Sequence, residues 1–219
     1  GICLKEEYQS SLLGGFQEVH TDLEKADRVY QAIRRKISYM DLRRIYKCFL
    51  STVPDKEMIL LRYIVLGFHI GSGISKLHGN PDVFAAQEIE KKINVEAERM
   101  RQFVRFSVMQ GDILYARIEP DHDVLELIGD HFSDRFRNDP FLIHDVRRGK
   151  AMAGYQGKWY ITSFAENDVP EESEEEKEYQ ALWQKYFDHI AIKERKNSNC
   201  QRNFMPLRYR KHLTECQMR

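Results

Sequence analysis

The chain has no charge of one sign to spare. Its 219 residues carry 34 Lys and Arg against 34 Asp and Glu. A balanced chain has no global field to gather DNA or a membrane surface, so any polyanion site must be a local patch. Cysteine is sparse and scattered, at Cys3, Cys48, Cys200 and Cys216. None forms a C-x-x-C pair and no H-x-x-x-H accompanies them, which argues against zinc or an iron–sulfur cluster. No metal and no cofactor is expected. Long apolar runs are missing too: none reaches the roughly 18 residues of a membrane span, and no signal-peptide pattern opens the chain. Scattered thiols and no membrane segment together point to a cytoplasmic protein. The chain starts at Gly1-Ile2-Cys3 rather than at methionine, as a processed or trimmed product does. Internal repeats, Pro/Ser-rich linkers, a G-x-S-x-G elbow and an H-E-x-x-H motif are all absent. Gly67-Phe-His69-Ile-Gly71-Ser-Gly73 follows a helical pattern and lacks the G-K-[ST] ending, so it reads as a helix exit and not as a phosphate loop.

What is present is a change of period. Thr21 with Glu24 reads as a capping box, with Val29, Ile33 and Ile37 behind it at helical spacing. Phe16 to His20 reads as a short strand. Ser38 with Asp41 repeats the capping signature for a helix over 39–51, with Leu42, Ile45, Tyr46 and Phe49 on its apolar face and Cys48 as a buried small hydrophobe. Pro54-Asp55 opens a third helix. Asn80-Pro81 caps a fourth, which runs to about Arg101. From Phe103 the period becomes 2, with a turn at Gln110-Gly111-Asp112 and a return strand over 113–119. Asp121 reads as the cap of a helix that includes Val124, Ile128 and Phe132. Three strands follow at 141–145, 150–155 and 158–164, the last two joined by Gln156-Gly157. An acidic stretch, 171–178, reads as a solvated helix start or an acidic interaction surface. It leads into a long helix with Leu182, Trp183, Tyr186 and Phe187, then an irregular basic tail. This order gives the α+β class: an N-terminal helical portion (20–101), about five mostly antiparallel strands (102–164), and a long C-terminal helix with a basic tail (171–219), read as one domain.

Three groups of residues could carry chemistry. Asp121-His122-Asp123 with His131, His144 and Asp145 places carboxylates beside imidazoles at strand ends, a pattern that orients a general base or holds a divalent metal. His122, Asp123, His144 and Asp145 are the candidates. Asp121 as a cap, Asp123 at the helix dipole and His131 as packing are the structural alternatives. The second group is the tail, where Arg195, Arg202, Arg208 and Lys211 interleave with Tyr209, a pattern that pairs phosphates and stacks bases. The alternative is that Phe204, Met205, Pro206 and Leu207 pack the tail down and leave its charges in solvent. The third is the turn containing Arg147 and Arg148, which suits a grip on phosphates or simply a solvated turn.

Several segments together resemble one bacterial family of DNA-metabolism proteins built on a domain of unknown function. They are Lys25-Ala-Asp-Arg-Val29, Lys36-Ile-Ser38, Leu60-Leu-Arg-Tyr-Ile64, Gly67-Phe68, Glu96-Ala97 and Phe103-Val-Arg-Phe106. The run continues through Leu114 to Asp123, His131-Phe132, Ile143-His-Asp145, Arg147-Arg148, Ile190-Ala-Ile192, Phe204-Met-Pro206, Arg208-Tyr209 and Leu213-Thr-Glu215. Members are typically encoded beside a radical-SAM protein, and related domains are fused to uracil-DNA-glycosylase-like domains. The resemblance implies a DNA-repair context and a radical-SAM partner, and it supplies no catalytic residues. It leads to an expectation of a DNA-binding accessory module. A DNA- or nucleotide-processing enzyme using the His/Asp group and a protein-interaction scaffold are the alternatives.

Overall fold

Two compact units, Gly1–Asn94 and Val95–Arg219, divide the chain. They are seen in a computed structural model that describes residues 1–2, 8, 15–169, 171–190, 197–213 and 216. The first unit is helical: α1 (Leu23–Lys36), α2 (Tyr39–Phe49), α3 (Lys56–Ile70), a 3-10 turn at Gly71–Lys76, and the start of α4 (Pro81–Phe103). Phe16 to His20, expected as a strand, holds no regular element. The cap of α1 is Asp22 and not Thr21; its carboxylate accepts the Lys25 N–H at 3.0 Å. A charged acceptor at the positive end of the helix outcompetes the hydroxyl one residue earlier. Ser38 caps α2 as expected, accepting the Asp41 N–H at 3.0 Å, and Asn80 caps α4.

The inward face of α2 is turned from the expected one. Leu42 and Cys48 are buried, while Tyr46 and Phe49 are exposed. A buried carboxylate sets that rotation. Asp41 accepts from Tyr63 Oη at 2.6 Å, from Ser75 Oγ at 2.5 Å and from Arg44 Nη1 at 2.9 Å. Burial pushes this carboxyl up, but the hydrogen bonds from Ser38, Ser75 and Tyr63 outweigh it and hold the group below its ordinary value. Arg44 also reaches Glu90 at 2.6 Å, so the network is closed on both sides. Lys56–Lys76 is long and apolar enough to cross a membrane by length and composition alone, although the sequence showed no continuous apolar run. Its Leu60, Tyr63 and Gly67 are buried within the first unit.

The second unit is an α+β arrangement around a five-stranded mixed sheet in the order β1 (Ser107–Met109), β2 (Ile113–Ile118), β3 (Phe141–Asp145), β4 (Lys150–Tyr155) and β5 (Lys158–Ser163). All pairs are antiparallel except β2 and β3, which run parallel with Ala116 opposite Ile143. The expected strand from Phe103 is shorter: α4 continues to Phe103, residues 104–106 hold no regular element, and only Ser107–Met109 pairs. The alternation read there comes from residues that pack around the helix end, with Phe106 against Phe132 and Phe136. Gln156 (φ 52°) and Gly157 (φ 71°) both take positive φ, as a two-residue hairpin turn requires.

A parallel pair needs a crossover, and α5 (Leu125–Arg135) provides it. Leu125, Ile128 and Phe132 of α5 join Ala116, Ile118, Phe141, Ile143 and Met152 in one core. The parallel geometry also brings the loop after β2 and the turn after β3 to the same end of the sheet. The Val146 N–H donates to Ile118 O at 3.1 Å there, extending the ladder by one bond. After β5 the chain forms α6 (Glu174–Ile190), α7 (Ser198–Phe204) and a 3-10 turn at Leu207–His212. The acidic stretch is not all helix: Glu172 bridges to Met109, and the Gln110 N–H donates to Glu171 O, covering the β1 edge. Leu182, Trp183 and Tyr186 of α6 are exposed.

Candidate nucleic-acid interface

The site lies where the C-terminal ends of β2 and β3 meet. Three chain segments converge on it: the loop Glu119–Asp123, the turn Val146–Gly149, and the tail turn Leu207–His212. A carboxylate that sequence reading passed over organises them. Glu96, in the last turns of α4, is 3% exposed. Its two oxygens accept the N–H groups of Asp121 at 2.9 Å and His122 at 2.7 Å. The same carboxylate accepts the Tyr209 hydroxyl at 2.8 Å and sits 3.7 Å from Arg208. Glu96 therefore does for this loop what a helix cap does for a first turn: it satisfies buried backbone donors. The only sequence signal for it is a charged residue on the apolar stripe that holds Ile93, Ala97 and Met100.

Asp121 is not a helix cap. The helix starts four residues later, at Leu125. Glu96 takes the N–H of Asp121 itself and of His122, and the Asp121 carboxylate pairs with Arg147 at 3.2 Å and with Arg208. Asp123 pairs with Lys150 from β4, and its other oxygen, Oδ1, is buried with no partner among the described residues. Asp145 is fully buried and takes Arg148 at 2.8 Å. Arg148 also donates to the carbonyls of Pro120 and Asp121, so it clamps the two loops together. Burial raises the Asp145 carboxyl above its ordinary value against the pull of Arg148.

The expected His/Asp group is divided by the pleat. Side chains alternate across a strand, so Asp145 shares the face of Ile143 while His144 points to the opposite one. There His144 is 2% exposed, its Nδ1 is 2.9 Å from the Tyr115 hydroxyl, and the Phe164 ring lies edge-on at 4.9 Å. Arg117 donates to the same hydroxyl and pairs with Glu166. Burial, with Arg117 nearby, lowers the His144 imidazole. His122 stays on the loop, where burial lowers it against the upward pull of Glu96 and Asp121. His131 is exposed on α5 against Phe132. Among the described residues no cluster of three or more His, Cys, Asp or Glu could hold a metal ion.

The expected phosphate contacts fare differently from one another. Arg147, Arg148, Arg208, Tyr209 and Lys211 come together. Arg202 is exposed on α7, and Arg195 lies outside the described residues. The tail docks through buried Tyr209 and Leu213, whereas Phe204 and Leu207, its anchors in the alternative reading, are exposed. Tyr209 wins because its ring meets Phe103 at 6.0 Å and its hydroxyl finds Glu96, so both halves of the side chain are satisfied. Lys211 pairs with Glu119, which also holds His212 Nε2 at 3.0 Å. Burial lowers the His212 imidazole despite that carboxylate.

A family model for a domain of unknown function, DUF4130, matches residues 54–215. The chain belongs to the DUF4130 family. The match begins just before α3 and takes in the whole DUF4130 sheet and every element of this site through Leu213. Neither the curated proteins nor the solved structures contain a match to this DUF4130 chain.

Proposed function

We propose that this DUF4130 chain is a cytoplasmic nucleic-acid-binding accessory module that acts in DNA metabolism beside a partner enzyme. The observation that carries the reading is a layering of charge at the end of β2 and β3. Two carboxylates lie beneath, with Asp145 and Glu96 almost fully buried, while Asp121 and Glu119 are 37% and 29% exposed. The cations lie outside them, with side chains of Arg147, Arg208 and Lys211 exposed by 57%, 48% and 65%. Two of these guanidiniums share the single carboxylate of Asp121. A phosphate approaching this face meets cations first, and it competes for solvated ion pairs that are individually worth ~1 kcal/mol or less.

The partner half of the reading draws on the resemblance, which implies a radical-SAM protein, and on α3. Its Leu61, Val65 and Phe68 are exposed at i, i+4 and i+7, an apolar stripe of the kind that docks another protein. An enzyme built on the His/Asp group finds less support, because His144 and Asp145 serve opposite faces of the sheet.

Fluorescence anisotropy of the full chain with single- and double-stranded DNA across a salt series tests the binding. Affinity should fall steeply with salt, and the triple variant Arg147→Ala, Arg208→Ala, Lys211→Ala should flatten that slope by about one unit for each cation–phosphate pair it removes. An unchanged slope in a folded variant removes this surface from the proposal. Co-purification with the radical-SAM neighbour, abolished by Val65→Asp, tests the partner.

A further inference from the structure

A second surface in the same unit has a different chemistry. A groove of about 600 Å³ runs between the end of α4, α5 and α6. Phe106 and Phe136 form apolar walls, and Arg101, Arg105 and Arg135 bring three guanidiniums to it. Among the described residues Glu176 is the one carboxylate in the lining, and both of its oxygens are engaged. One accepts the Val108 N–H at 3.1 Å and the other accepts Gln180 Nε2 at 3.0 Å. Arg135 makes no ion pair among the described residues; its guanidinium lies over the Phe136 ring at 5.5 Å.

The α6 wall is aromatic and open to solvent. Tyr179 and Trp183 of that wall are 67% and 45% exposed, and beyond the groove the Tyr186 ring lies 5.7 Å from Trp183. A helix rises ~1.5 Å per residue, so Tyr179 and Trp183 are offset by about 6 Å along it. Bases in a duplex strand are spaced by ~3.4 Å. The offset suits bases splayed out of a stack, not a closed duplex. Exposed aromatic faces beside a row of arginines are the two parts of a single-strand binding surface: rings take bases, and cations take the phosphates between them.

We propose that this groove binds an unpaired stretch of nucleic acid, with bases on Trp183 and Tyr179 and phosphates on Arg101, Arg105 and Arg135. The inference rests on the nucleic-acid reading above and gives it a substrate class. The groove would hold a single strand while the layered cations at the sheet end grip backbone.

The chain has two tryptophans, Trp159 and Trp183, so Trp159→Phe isolates Trp183 emission. That variant is titrated with a short mixed-sequence single strand, the matching duplex, inorganic polyphosphate and polyglutamate. The expected result is quenching of Trp183 by the single strand only. Trp183→Ala in the otherwise unaltered chain should weaken single-strand binding about tenfold or more, with the fold checked by circular dichroism. Arg135→Ala should lower the salt slope by about one. Equal binding of polyphosphate or polyglutamate overturns the base-stacking role and leaves a bare anion groove. Single-strand binding that neither quenches Trp183 nor responds to Trp183→Ala, yet falls in the Arg147, Arg208, Lys211 triple variant, overturns the groove and leaves the sheet-end reading standing. Binding to no nucleic acid at all removes both.

Discussion

Tyr209→Phe isolates the bond that ties the tail to the sheet end. The substitution keeps the ring, its contact with Phe103 and its place beneath Arg208, whose guanidinium is 4.7 Å from the ring centroid. It removes one hydroxyl, which donates to Glu96 at 2.8 Å and accepts from Arg208 at 2.7 Å. A hydrogen bond to a charged partner contributes ~1.5–3 kcal/mol. Glu96 keeps its two backbone donors, so the lower part of that range applies. The Arg208 bond adds little, because that side chain is half exposed and keeps Asp121. The expected destabilisation is about 2 kcal/mol, or a urea midpoint lower by about 1 M for an ordinary slope. Both tryptophans lie in the second unit, so intrinsic fluorescence follows the unfolding of that unit. Glu96→Gln closes a double-mutant cycle, because it removes the charge to which the Tyr209 hydroxyl donates. A coupling near 1 kcal/mol or above is expected for groups in direct contact, on the order of what touching side chains show. A Tyr209→Phe midpoint equal to that of the parent, or additive single variants, would refute the view that Glu96 joins α4, the Asp121 loop and the tail.

Three further outcomes follow from the same structure. Gly129→Ala should destabilise the second unit by about 1–3 kcal/mol despite the better helix propensity of alanine, because the new Cβ would fall 2.5 Å from the Trp159 ring; a stabilised variant in urea melts would contradict that packing. The Cys48 thiol, fully buried and pushed up to about 12 by burial, should resist a thiol reagent at mildly alkaline pH until the protein unfolds, whereas exposed Cys200 reacts at once; mass mapping of labelled peptides decides between them. Burial lowers His122, His144 and His212 from an ordinary 6.5, so the unfolded chain takes up these protons first. Their contribution is complete above about pH 6.5 and is lost as pH falls toward the folded-state values, while the raised Asp145 works in the opposite sense. The urea midpoint should therefore drop between neutral and mildly acidic pH, and a midpoint that rises there would reverse the assignment.

The local grammar of this chain determined its elements. Ser38 with Asp41 and Asn80-Pro81 marked helix starts because a side-chain acceptor and a fixed φ act within three residues. Gln156-Gly157 marked a hairpin for the same local reason. The strands at 141–145 and 150–155 were legible as short segments, the second closed by its turn, and the α+β class followed from their order. The tertiary structure decided everything that depends on distant partners. The parallel pairing of β2 and β3 brings Asp121, Arg147 and Arg148 together across more than twenty residues of sequence. The pleat sends His144 and Asp145, neighbours in sequence, to opposite faces and so divides an apparent site. Glu96 takes the backbone donors of a loop 25 residues away, and the helix begins at Leu125, too far on for Asp121 to fill the capping role its sequence position suggests. The exposure of Trp183 was not legible either, because an apolar helical stripe reads the same whether it meets a core or waits for a ligand.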